Sequence, residues 1–138
     1  MKYLLDTCVI SELIKKNPSN NVLNWIKNIP EEKLFLSVIT IAEIYRGLNK
    51  LPNSKRKKSL TNWLNTLVED YKNRIITIDF AVAENWGIIQ EEAEKKGKRI
   101  SSIDCFVASI AYTHNFTLAT RNTKDFQGSN ISIDNPWD

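Results

Sequence analysis

The 138 residues include one histidine, His114, and two cysteines, Cys8 and Cys105. So few ligands exclude a usual structural zinc site of Cys and His alone, and two cysteines make no disulfide framework. A Ser-His-Asp or Cys-His mechanism would have to use His114. It follows an apparent helix in "IAYTHNF" and reads as a solvated helix-end residue. No apolar run approaches the roughly 20 residues that span a bilayer, and the N-terminus has no signal-peptide pattern. The expected location is therefore the cytoplasm, with no membrane partner. Internal repeats, low-complexity tracts and linkers are missing too. The length suits one domain over residues 1–138, with a single substantial core.

Charge excludes little. Nineteen Lys and Arg against sixteen Asp and Glu give +3, which is compatible with a nucleic-acid partner but too weak to argue for one. With the soft ligands scarce, any metal has to be held by carboxylates, which favours magnesium or manganese.

What is present is an alternation of short apolar runs with amphipathic segments. Residues 2–6, "KLFLSV", "RIITI", "FTLAT" and "NISI" read as strands. Helices are expected over about 8–16, in "NNVLNWIKNI", over Val38 to Leu48, about 55–70, Ala81 to Lys96 and 102–113. The connections are too long for hairpins. Strands alternating with helices in this way form an α/β fold, a three-layer α/β/α sandwich around a mainly parallel sheet.

Acids fall at suggestive places in that pattern. Asp6 closes the first strand in "MKYLLDTCVIS", where the chain is about to bury itself on both sides. Glu43 follows "KLFLSV" by one to two helical turns, Asp104 sits in the first turn of its helix, and Asp125 follows "FTLAT". A parallel sheet sends such positions to one edge, beyond the strands' carboxyl ends. Each acid also has a plain structural reading. Thr40 to Glu43 and Ser101 to Asp104 match a capping box, Asp6 with Thr7 starts a helix, and Asp125 shapes a turn. Crowded carboxylates repel unless a cation sits among them. Held together, these four suit a hard ion that activates water against a phosphodiester.

"LLDTCVISELIK", "SVITIAEIYRGL", "KGKRISSIDCFVASIA" and "LATRNTKDF" resemble, in order and spacing, the four motif blocks of the PIN-domain family. The nearest likeness is to its VapC-type branch of toxin ribonucleases, and it covers residues 4 to 126. The resemblance implies a magnesium- or manganese-dependent endoribonuclease with Asp6, Glu43 and Asp104 as its first three acids. Asp6 and Asp104 are then direct metal ligands. Glu43 binds metal or orients the attacking water, and Asp125 supports a second ion or the outer shell, with Asn122 and Thr120 beside it. One departure is Cys8, where this branch often carries Asn or another small polar residue after Asp-Thr.

RNA must approach such a pocket against its charge, so Arg46, Arg121 and Lys124 are candidate phosphate contacts. Ordinary surface pairing is the competing account for all three. "SKRKKS" reads as a solvated helix start, and core burial is the safer assignment for most of Trp25, Tyr45, Trp63 and Leu64. The resemblance also implies an antitoxin partner and a homodimer or toxin–antitoxin hetero-oligomer. Two alternatives stand beside the toxin: a non-toxin PIN nuclease in RNA processing, and a non-catalytic RNA- or protein-binding module.

Overall fold

Leu4 and Leu5, both fully withdrawn from water, lie in a strand of three residues, β1 (Tyr3–Leu5). Successive strand side chains point to opposite faces, so each leucine needs a cover of its own. The computed structural model, which describes residues 1–138, places β2 (Leu34–Ser37), β3 (Ile75–Ile76), β4 (Thr117–Ala119) and β5 (Ile133–Asp134) in one sheet with it. The order is β3-β2-β1-β4-β5 and every pairing is parallel. Tyr3 stands opposite Leu34 on one side and Thr117 on the other.

Six helices cover the sheet: α1 (Thr7–Leu13), α2 (Asn20–Lys27), α3 (Val38–Asn49), α4 (Lys55–Asp70), α5 (Phe80–Lys95) and α6 (Ser102–His114). Leu4 and Leu118 pack with Val82 of α5, with Val107 and Ile110 of α6, and with Phe126. Leu5 looks the other way, to Val9 and Ile10 of α1 and Val22 of α2, with Trp63 and Leu67 of α4 alongside. Each buried leucine contributes roughly 1.5–3 kcal/mol. The three expected layers are thus present.

Local chemistry sets the helix starts. Ser19, Ser37, Ser54 and Ser101 cap α2, α3, α4 and α6, each hydroxyl accepting a backbone N–H from the first turn, and Asp79 does the same for α5. Asn115 stops α6 in the left-handed conformation, with φ of 58°. No helix is long and apolar enough to cross a membrane.

From β1 the chain builds to one side through β2 and β3, then returns to add β4 and β5 on the other. The crossover direction therefore reverses between β1 and β4. Ligand crevices of open parallel sheets lie at that switch point, beyond the carboxyl ends of the strands.

Several details differ from expectation. The helix expected over 8–16 ends at Leu13, and the last strand, Ile133–Asp134, overlaps "NISI" only at Ile133. Two short 3-10 turns, Glu31–Lys33 and Thr123–Phe126, interrupt what read as plain loops. Leu64 is buried, Trp25 and Trp63 are half-buried, and Tyr45 is exposed. Gly128 explains how the second turn is seated: a Cβ there would collide with the Lys98 carbonyl oxygen and come within 3.0 Å of Ala93 Cβ. The turn carrying Asp125 is thereby pressed against the connection between α5 and α6.

Candidate active site

Asp6 closes β1 and caps α1 in one residue. Its Oδ1 accepts the Thr7 backbone N–H at 2.9 Å, and its Oδ2 accepts the Thr120 hydroxyl at 2.8 Å. Thr120 follows β4 directly and is fully buried, so adjacent strands across the switch point fix one carboxylate. The Thr120 oxygen also accepts the Asn122 backbone N–H at 3.0 Å, tying the next loop to it.

Asp6 is only 9% exposed. Burial raises its pKa above the ordinary carboxylate value; the Thr120 and Thr7 hydrogen bonds offset part of that, and the charges of Glu43 and Asp104 push it up again. Asp104, half-buried at the start of α6, is raised first by burial, with the Ser101 hydroxyl offsetting and the charges of Asp125 and Glu43 adding. Glu43 and Asp104 therefore act on Asp6, and Asp125 and Glu43 act on Asp104, although the four acids come from separate stretches of chain.

Glu43 shows why one capping reading fails. Ser37, not Thr40, caps α3, so Glu43 lies beyond the first turn, where no free N–H needs it. Its Oε1 instead accepts the Thr7 hydroxyl at 2.6 Å. That bond uses Thr7's single proton, so Thr7 in turn accepts from the buried Thr40 hydroxyl 3.1 Å away. Ser101 does cap α6 as its spacing suggested, by accepting the Asp104 backbone N–H at 3.1 Å.

The basic candidates lie outside this network. Arg46 and Lys124 are exposed and hydrogen-bond to none of the acids, while the Arg121 guanidinium stacks 4.7 Å over Trp137. Arg121, Asn122, Lys124 and Asp125 together line a cavity of about 280 Å³.

The PIN domain model matches residues 3–128. The chain belongs to the PIN-domain family. It is 36% identical over 136 residues to VapC ribonuclease Y4jK of Sinorhizobium fredii, covering 98% of this chain and 97% of that protein. It is also 36% identical over 135 residues to toxin FitB of Neisseria gonorrhoeae, covering 97% of each. The solved structure of FitAB bound to an IR36 DNA fragment superposes with a TM-score of 0.94 at 34% identity, over 99% of this chain and 96% of that one. These likenesses put it in the VapC-type branch of the PIN family.

Divalent-metal-dependent catalysis is associated with the PIN family at large. The donor set of this PIN domain fits such an ion in chemistry. Asp6, Glu43, Asp104 and Asp125 offer carboxylate oxygens alone, and the raised Asp6 and Asp104 are the groups a cation would relieve. The acids are not drawn tightly together, since no three Asp, Glu, His or Cys side chains are close enough to grip an ion among themselves.

Cys8 was expected beside Asp6, whereas the roles of Thr40 and Glu12 were not foreseen. Cys8 lies 3.8 Å from Asp6 Oδ2 and 3.6 Å from the Thr120 hydroxyl, and its sulfur accepts the Arg121 backbone N–H at 3.5 Å. The departure at Cys8 thus puts a weak hydrogen-bonding group against the first acid. Thr40 completes the hydroxyl chain described above, which only tertiary packing reveals. Glu12 is buried on α1 and accepts Lys15 Nζ at 2.8 Å and the Ser19 backbone N–H at 2.9 Å. Its signal was available, because the spacing Val9–Glu12–Leu13 sets it on the apolar face.

The Thr7 bond supplies a test of positioning. Thr7→Val keeps the side-chain volume and removes the hydroxyl, so Glu43 loses its tether. Such losses beside a metal-site carboxylate typically cost about 10- to 100-fold in activity or metal affinity. The expected outcome is a fall of that size in RNA cleavage, restored by Thr7→Ser, as measured by single-turnover assays of the three proteins.

Proposed function

We propose that this chain is the toxin of a toxin–antitoxin pair, a magnesium- or manganese-dependent endoribonuclease formed as one nuclease domain over residues 1–138 and acting in the cytoplasm. The observation that carries the reading is that Thr7 joins Asp6 and Glu43 by hydrogen bonds at the switch point, with Asp104 acting on Asp6 and Asp125 on Asp104. Likeness to a VapC ribonuclease and to toxin FitB supports the same reading.

Asp6 and Asp104 would hold the ion, and Asp125 would support a second ion or the outer shell around Asp104. When bound, the ion supplies charge stabilisation at the phosphoryl oxygens and lowers the pKa of an attacking water. The chain's own residues do the orienting. Thr120 and the Thr7 backbone fix both oxygens of Asp6, and Thr7 and Thr40 hold Glu43 by one oxygen. The other oxygen of Glu43 is left to hydrogen-bond a water placed in line with the scissile phosphate. Attack there leaves a 5′-phosphate and a 3′-hydroxyl. Arg46, Arg121 and Lys124 would contact flanking phosphates, with Trp137 holding the Arg121 guanidinium flat.

The partner would be an antitoxin protein, in a homodimer or a toxin–antitoxin hetero-oligomer, a reading supported by the match to a chain of the FitAB assembly. The purified chain, free of any partner and supplied with magnesium or manganese, is expected to cut single-stranded RNA and leave 5′-phosphate ends. End-group analysis of the fragments checks this. Intact RNA, or cyclic phosphate ends, would contradict the assignment.

A further inference from the structure

Two adjoining cavities lie beside Glu43. One, of about 270 Å³, runs from Thr7 and Glu43 over a floor that includes Leu60 and Trp63. The other, of about 620 Å³, opens among Lys15, Lys16 and Arg56. Ser11, Ile14, Arg56 and Leu60 line both, so the two form one groove between α1 and α4. The groove combines a carboxylate, an apolar floor and cations.

The cations are not equally free. Lys15 is paired with Glu12 at 2.8 Å, and Lys57, beside Arg56 in the chain, donates to the Leu51 carbonyl at 3.2 Å. Arg56 and Lys16 have no acidic partner within 4.0 Å. Two uncompensated cations thus line the groove, Arg56 where the cavities meet and Lys16 in the outer one, while Glu43 lines the inner one. An RNA backbone is repelled at the acids and needs attachment elsewhere. Grooves that combine cations with an aromatic platform suit single-stranded nucleic acid, because every base has a face that stacks.

We propose that Arg56 and Lys16 form a phosphate-binding subsite for single-stranded RNA. The nucleotide flanking the cut lies along Ile14, Leu60 and Trp63, and its outer phosphate rests between the two cations. This deepens the ribonuclease reading and rests on it. It also sets Arg56 apart from the rest of its charge run, since Lys55 and Lys58 line neither of the two cavities.

The test uses the full chain on a labelled single-stranded oligoribonucleotide, with KM followed across a salt series. Each phosphate contact to a single strand contributes about 0.7 to the slope of log affinity against log salt, so the double variant Lys16→Ala/Arg56→Ala is expected to flatten that slope by about 1.4. Between about 50 and 200 mM salt, the advantage of the wild type over the variant should then shrink about sevenfold. Lys55→Ala/Lys58→Ala, from the same helix start but outside the groove, should leave the slope unchanged. A wild type that cuts RNA while the groove variant keeps both its KM and its slope would overturn the subsite and leave the ribonuclease reading standing. A groove variant that loses affinity for a protein partner with an unaltered RNA slope would overturn it equally, by assigning the groove to that partner. A wild type that cuts no RNA would instead remove the ribonuclease reading itself.

Discussion

Asp6→Asn is expected to lower the rate of RNA cleavage about a thousandfold and to leave the chain folded. A divalent ion supplies several kcal/mol of transition-state charge stabilisation, and each 1.36 kcal/mol lost is about tenfold in rate. The amide keeps the size of the carboxylate, and its carbonyl oxygen can still accept the Thr7 backbone N–H. What disappears is the negative charge. In metal-free buffer near neutral pH the variant should melt no lower than the wild type, because burial already disfavours the Asp6 anion in the folded chain. Circular-dichroism melts and single-turnover cleavage, run on the same preparations, check both halves. A variant that stays folded and still cuts RNA within about tenfold of the wild type would remove Asp6 from the chemistry.

Adding manganese to the metal-free chain is expected to raise its unfolding midpoint by on the order of 10 °C near neutral pH. An ion present at about 100 times its dissociation constant adds about 2.7 kcal/mol, and a domain of this size shifts by roughly 3–5 °C per kcal/mol. The pH dependence has a definite sign. Asp6 and Asp104 have folded-state pKa values raised above their ordinary 3.8. Their stabilising contribution is fully present below pH 3.8, where folded and unfolded chains both hold the protons. It is lost as pH rises from there through the folded-state values, because the unfolded chain releases its protons first. Glu12 runs in the opposite sense, since Lys15 and the Ser19 N–H lower its pKa, and its contribution is lost as pH falls. Subtracting an Asp6→Asn profile from the wild-type profile isolates the Asp6 part. The manganese effect should grow as pH rises above the folded values, and it should be absent in Asp6→Asn.

The sequence was informative where burial alone decides structure. The runs around β1, β2 and β4 are apolar without alternation because those strands are covered on both faces, and that pattern belongs to parallel sheets. The positions of Asp6, Glu43, Asp104 and Asp125 followed from the same logic, since strand ends in such a sheet share an edge. Edge strands were less legible. β3 and β5 pair over two residues each, and an apolar run does not say which of its residues reaches a partner. Side-chain pairing was hidden as well. Thr40 looked like the cap of its own helix, yet Ser37 takes that place and leaves Thr40 to support Thr7. Arg56 read as one charge in a solvated run, and only the approach of α1 to α4 shows it facing a groove. Contacts of this kind join residues 33 or more positions apart, beyond the reach of any local pattern.

The proposed function requires acids from separate strands and helices to share a divalent ion at the β1–β4 crevice. Isothermal titration of manganese into the metal-free chain tests it without reference to activity. Saturable binding to the wild type, lost in Asp6→Asn and in Asp104→Asn alike, is the expected result. Equal manganese binding by the wild type and both variants, or none by the wild type, would contradict it.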